Sequence, residues 1–181
     1  ISPRRKELLS GLNKSITIRV KNDIDESYPS TLSALDVPEY LSKKKASNYK
    51  VADNEILITA DTLVMVDNTI LGKPKDEKEA FDMLRFLSNK THTVATGVCL
   101  KTSDKSISFT DITEVCFKEL SDEEINYYVS QFKPFDKAGS YGIQEWIGYI
   151  GITSIKGSYF NVMGLPVHRV YEKIQELEGN N

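Results

Sequence analysis

Asp61 stands between two apolar runs, Ile56-Leu57-Ile58-Thr59-Ala60 before it and Leu63 to Val66 after it. A carboxylate buried there without a partner costs on the order of several kcal/mol, so it has either a structural partner or a chemical task. Further along, Gly72-Lys73-Pro74-Lys75-Asp76 reads as a rigid turn carrying a cation. A carboxylate and a lysine held on stiff backbone suit metal-assisted phosphate chemistry. An ion pair at a strand end is the structural alternative.

Other residues could serve the same chemistry. Arg4 and Arg5 fall in the first turn of an expected helix, where free N–H groups and the helix dipole favour anions; solvated surface charge is the plain alternative. Lys43, Lys44 and Lys45 cannot all face one way on a helix, so one of them can reach a site while two are solvated. Asp25 and Glu26, in a polar loop, could add a second carboxylate for a divalent cation. Mg²⁺ needs only one or two, together with phosphate oxygens and waters. In Asp136-Lys137-Ala138-Gly139-Ser140-Tyr141-Gly142-Ile143-Gln144 the small residues permit close approach of a ligand or of another backbone. The stretch delivers an amide that could match the N3–H and O4 of uracil or thymine, since it both donates and accepts. The stretch from Gly157 to Pro166 sets small polar groups ahead of a helix, a candidate phosphate or ribose contact. His92 and His168 have no matching partners and read as structural or surface residues.

The elements that must position these groups follow from caps and periodicity. Ser2 and Pro3 open a short helix that Gly11 closes. Ser15 to Val20 alternates like a strand, Lys21 to Ser33 is polar loop, and a helix is expected over Pro38 to Tyr49 with the three lysines on its exposed side. Two strands flank Asp61. Asp76 to Ser88 is an amphipathic helix, with Ala80, Phe81, Leu84 and Leu87 at helical spacing. Thr91 to Leu100 and Ser106 to Phe117 are long β segments joined near Ser103-Asp104. Ser121 to Glu124 is a capping box opening a helix to about Gln131. Lys137 to Gly164 is mostly loop and short strand, and Leu165 to Leu177 is a closing helix. The sum is an α/β fold with a mixed sheet.

With 181 residues, 40% hydrophobic, the chain can bury a substantial core as one domain or two packed lobes. A net charge of -3 argues against a dedicated nucleic-acid binder. Cys99 and Cys116 read as reduced thiols. No apolar stretch reaches the roughly 18 residues of a membrane span. No leader is visible, although the chain begins at Ile1 rather than Met, and the expectation is a cytoplasmic protein.

Taken together, SPRRKELL from Ser2, ADTLV from Ala60, GKPKD from Gly72, DKAGSYGIQ from Asp136 and GSYFNVMGLP from Gly157 resemble the Maf family of nucleoside triphosphate pyrophosphatases, in the family's order and over nearly the whole chain. The resemblance implies a two-lobed Maf/ITPase-like α/β fold over residues 1–181, with helices flanking a mixed β-sheet and a nucleotide cleft between lobes. It implies Mg²⁺-dependent cleavage of a nucleoside triphosphate to the monophosphate and pyrophosphate, often by a homodimer. The ADT and AGSYGIQ forms look like the dTTP/UTP branch. By motif, Asp61 matches the catalytic carboxylate and, with Glu26, the metal-binding acids. Lys45 and Lys73 match the family's lysines, and Arg4, Thr62 and Gln144 match positions associated with substrate choice. The family usually begins with a short strand ahead of SPRR, where here Ile1 alone precedes it. It commonly has Gly after GIQ, where this chain has Glu145 and Trp146. The alternatives are 7-methyl-GTP hydrolysis by the same chemistry and a nucleotide-binding regulator of septum formation that does not turn substrate over.

Overall fold

Local chemistry sets the helix ends in the computed structural model, which describes residues 2–179. Ser2 caps α1 (Pro3–Ser10), its hydroxyl accepting from the Arg5 amide at 3.4 Å. Asp76 caps α3 (Glu77–Leu87) by accepting from the Glu79 amide at 2.8 Å. Ser121 and Glu124 form the expected capping box of α4 (Asp122–Phe132). Each cap satisfies amides that the first turn leaves without a helical partner. The remaining helices are α2 (Val37–Ser47), α5 (Trp146–Gly151), α6 (Tyr159–Met163) and α7 (Val167–Glu178). The short helices α5 and α6 replace much of the loop expected before Gly164.

The strands are β1 (Leu57–Val66), β2 (Thr69–Leu71), β3 (Thr91–Lys101), β4 (Ser106–Phe117) and β5 (Ile152–Lys156), in the spatial order β2-β1-β3-β4-β5. The α/β class holds, and the sheet is antiparallel. Two expectations change. The two strands expected around Asp61 are one continuous strand, because Asp61 lies on the face opposite buried Ala60 and need not interrupt it. After β1, Asp67 and Asn68 both have positive φ, 48° and 61°, and turn the chain directly into β2.

The strand expected over Ser15 to Val20 is absent. This segment alternates as a strand should, but among the described residues it joins no sheet, and Ile16, Ile18 and Val20 are exposed. Alternation gives a segment two faces; only a hydrogen-bonded neighbour makes it a strand. A cavity of about 440 Å³ is lined both by this segment and by Leu57 to Thr59. Ile1, alone ahead of the SPRR motif, lies outside the described residues.

The chain divides into two compact units. The first comprises Ile1–Thr62, Thr96–Asp111 and Gly164–Asn181; the second comprises Leu63–Ala95 and Ile112–Met163. In the first unit, Ala60, Val98, Leu100, Phe109, Leu165 and Val170 form the core, against which Leu8 and Leu9 of α1 pack. Here α2 lies directly on β3. A Cβ on Gly97 would come within 2.1 Å of the Pro38 and Glu39 backbone, which is why that strand position is glycine.

In the second unit, Leu84, Leu87, Phe117, Leu120, Ile125 and Ile147 are fully buried. His92 joins them, stacked on Phe117 and bonded through Nε2 to the Tyr141 hydroxyl at 2.7 Å. It is a structural residue, and burial pushes its pKa down to about 4. The unfolded chain takes up this proton first, near the ordinary value of 6.5. Stability is therefore lost as pH falls from about 6.5 to about 4. The full penalty is about 3 kcal/mol. Urea unfolding at pH 7 and pH 4.5 should show this component in the unaltered chain and not in His92→Gln. Equal pH dependence in the two would remove His92 as its source.

Candidate active site

The first unit carries Asp61, Lys45, Glu26, Arg4 and Thr62. Asp61 projects from β1 away from Ala60, and Lys45 reaches it from the last turn of α2. Their side chains meet at 2.6 Å, each 19% exposed. The Glu26 carboxylate contacts the same ammonium at 2.8 Å from its exposed loop. Two carboxylates thus converge on one cation.

The three consecutive lysines go to three different partners. Lys43 pairs with Glu39 one turn back at 2.7 Å. Lys44 donates to Asp25 and to the Ser27 carbonyl, both at 2.7 Å. Lys45 follows Leu41 by one helical turn, and Leu41 and Ala46 are buried, so Lys45 is drawn toward the Asp61 strand. The expectation that all three lie on the exposed side is corrected, and the one that reaches a site is Lys45. Hydrogen bonds from Lys44 and Ser27 hold the Asp25 carboxyl below its usual range. Asp25 therefore shapes the loop, accepting from the Ser27 amide at 2.8 Å, while its neighbour Glu26 meets Lys45.

Arg5 holds the backbone around Asp61. Its Nη1 donates to the Ala60 carbonyl at 2.8 Å and its Nη2 to the Thr62 hydroxyl at 2.9 Å, one residue on either side of Asp61. Its Nε donates to the Gly164 carbonyl at 2.8 Å. Gly164 has φ +112°, a conformation that strains any other residue. Burial lowers the Arg5 pKa, opposed by the nearby Asp61 carboxylate. The rigid fork of a guanidinium suits three acceptors fixed in space. Arg5 is thus a framework residue, where the basic turn alone reads as a phosphate contact. Arg4, beside it, is half-buried. Thr62 shares its hydroxyl between Arg5 and Thr96, the latter at 2.9 Å.

Lys73 and Gln144 belong to the second unit, on segments bonded to each other. The Gly139 amide donates to the Gly72 carbonyl at 3.0 Å. Gly139 has φ +69°, and a Cβ there would press on Val64 at 3.0 Å. Lys73 itself is exposed. The Oε1 of Gln144 is buried and has no hydrogen-bond partner among the described residues. Polar groups near the start of the Gly157 to Pro166 stretch bond to the protein itself. The Thr113 hydroxyl accepts from the Ser158 amide and from Asn161 Nδ2, both at 3.0 Å, and Asn161 also bonds the Val94 carbonyl at 3.1 Å.

The donor set around Lys45 is two carboxylate oxygens, hard ligands of the kind Mg²⁺ takes when phosphates and waters complete its shell. Among the described residues no group of three or more His, Cys, Asp or Glu is assembled for a metal. Asp61 and Glu26 therefore fit a cation that arrives with its own oxygen ligands, not one caged by protein. No described helix is long and apolar enough to cross a membrane.

Comparison with known proteins identifies the family. The family described as Maf-like protein matches residues 1–177. A Parabacteroides distasonis protein named dTTP/UTP pyrophosphatase is 52% identical over 176 residues, 96% of this chain and 91% of its own. Proteins of the same name from Phocaeicola vulgatus and Flavobacterium psychrophilum are 54% and 55% identical, covering 97% and 94% of this chain and 92% and 88% of theirs. A family match over residues 1–177, with relatives more than half identical over nearly the whole chain, places the chain in the Maf family.

Proposed function

We propose that this chain hydrolyses dTTP and UTP to the nucleoside monophosphate and pyrophosphate, acting as a single domain. The observation that carries this reading is the Asp61–Lys45–Glu26 cluster at 2.6 and 2.8 Å, in a chain more than half identical to proteins named for that reaction. A triphosphate carries about four negative charges near neutral pH, so positioned cations supply much of the rate. Asp61 orients a water and takes its proton as the water oxygen bonds to the α-phosphorus. The bridging P–O bond breaks, and its electron pair leaves on pyrophosphate. Lys45 is already within reach of Asp61; with Arg4 it binds the phosphate chain and offsets charge on the leaving group. Asp61 and Glu26 would hold Mg²⁺, which when bound lowers the cost of charge on the phosphate oxygens. A homodimeric state belongs to the same proposal and rests on the family resemblance alone.

Gln144 reads the pyrimidine edge, since its amide offers a donor and an acceptor side by side. With Gln144→Ala, the ratio of kcat/KM for dTTP over dGTP should fall by about tenfold or more, and kcat for dTTP should fall less. An unchanged ratio would remove Gln144 from base selection. The reaction itself is tested by separating the products of dTTP with Mg²⁺ by anion exchange. Equal amounts of dTMP and pyrophosphate are expected; dTDP and phosphate would contradict the reading.

A further inference from the structure

A second cluster of titratable side chains lies in the unit that carries Gln144, and the function above does not use it. Lys137 is 8% exposed, and its ammonium lies 2.8 Å from Asp136 and 3.1 Å from Glu145 Oε1. The other oxygen of Glu145, Oε2, accepts a short hydrogen bond from the Tyr128 hydroxyl. Tyr128 is fully buried in α4, and its hydroxyl oxygen accepts from the Gly142 amide at 3.0 Å. Burial, and then the Glu145 carboxylate, push the Tyr128 pKa up, so the phenol keeps the proton that it donates.

One carboxylate therefore ties both ends of the loop that bears Gln144. Its Oε1 holds Lys137 where the loop begins. Its Oε2 holds Tyr128, which in turn holds Gly142 near the loop's end. The Glu145 amide also donates to the Gly142 carbonyl at 3.0 Å, closing a turn around Ile143 and Gln144. Gly142 is part of the device, because a Cβ there would meet the Glu145 carboxyl carbon at 2.8 Å. Nothing else among the described residues bonds the buried Gln144 Oε1. The network on either side fixes the backbone from which that amide projects.

We propose that Glu145 is a positioning residue for base selection, its carboxylate bridging Lys137 and Tyr128 so as to fix the turn that presents the Gln144 amide. This rests on the dTTP/UTP reading above. A partly buried bridge of this kind suits such work because each oxygen has one fixed donor and the donors come from different elements. The residue acts through Gln144 and does not touch the substrate.

The test uses Glu145→Gln, Tyr128→Phe and the double variant, each checked for folding by its thermal midpoint. Values of kcat and KM are then measured for dTTP, UTP, CTP and dGTP. Each single variant should lower the kcat/KM ratio of dTTP over dGTP by about tenfold. The loss should lie mainly in the KM for dTTP. The double variant should lose no more than the worse single one, because the two residues act through one turn. Tyr128→Phe leaves the Lys137–Glu145 pair intact, and so carries the test if Glu145→Gln does not fold. Equal loss on every nucleotide would mark the network as structural only and overturn the proposal. Unaltered selectivity in folded Tyr128→Phe would overturn it as well, while the dTTP/UTP reading stands. Absence of dTTP and UTP turnover by the unaltered chain would remove that reading, and this proposal with it.

Discussion

Asp61→Asn lowers kcat for dTTP by about 10³-fold, within the range expected when a positioned general base is lost. Asparagine keeps the shape of the side chain and an oxygen that accepts from Lys45, so the geometry at 2.6 Å can persist without the charge. What is lost is the group that takes the proton from water and one of the two acids fit for a divalent cation. The pair is partly exposed, so its loss costs the fold only about 1 kcal/mol. A midpoint shift of roughly 2–4 °C corresponds to that in a chain of this size. Steady-state pyrophosphate release and a thermal melt on the same preparation separate the two effects. A rate within about tenfold of the unaltered chain would remove Asp61 from the chemistry.

Arg5→Ala is the second large effect, and it appears first in stability. Three hydrogen bonds vanish, and the carbonyls of Ala60 and Gly164 lose their charged donor. Each buried acceptor left unsatisfied costs about 1–3 kcal/mol. A total of about 4 kcal/mol is expected, with a midpoint lower by roughly 10 °C. Turnover falls too, because the backbone on both sides of Asp61 is released. Arg5→Lys recovers only part of the loss, since a single ammonium cannot span three separate acceptors. Arg4→Ala should lower the midpoint less than Arg5→Ala does and raise the KM for dTTP. Calorimetry of the three variants decides it. A wild-type midpoint in Arg5→Ala would refute the framework role, and a collapse in Arg4→Ala would reverse the two assignments.

Much of this was legible in the residues because it is local chemistry. Ser2, Asp76 and Ser121 announce the helices they cap, and the long strands β3 and β4 carry their own pattern. Asp61 drew notice because an acid amid apolar residues needs a reason, and Lys45 and Glu26 supply one at contact distance. The failures have a common cause, which is that they depend on partners distant in sequence. Ser15 to Val20 has the alternation of a strand and joins no sheet. Arg4 and Arg5 are identical in type and adjacent in sequence, and only the acceptors at residues 60, 62 and 164 tell them apart. The Ser158 amide and the Asn161 Nδ2 are held by Thr113 and Val94, partners that no spacing within the glycine-rich stretch announces. Glu145 gives no periodic signal at all, since its partners Tyr128 and Lys137 lie on separate segments.

The central claim is selective release of pyrophosphate from dTTP and UTP. It is tested most directly by kcat/KM for pyrophosphate release with Mg²⁺ across dTTP, UTP, CTP, GTP, 7-methyl-GTP and dATP. The account predicts that dTTP and UTP lead by about tenfold or more. With Asp61→Asn the signal should fall by about 10³-fold for every nucleotide that is turned over. A lead for 7-methyl-GTP would keep the Asp61 chemistry and contradict the reading of Gln144. Nucleotide binding without turnover by the folded chain would contradict the account as a whole.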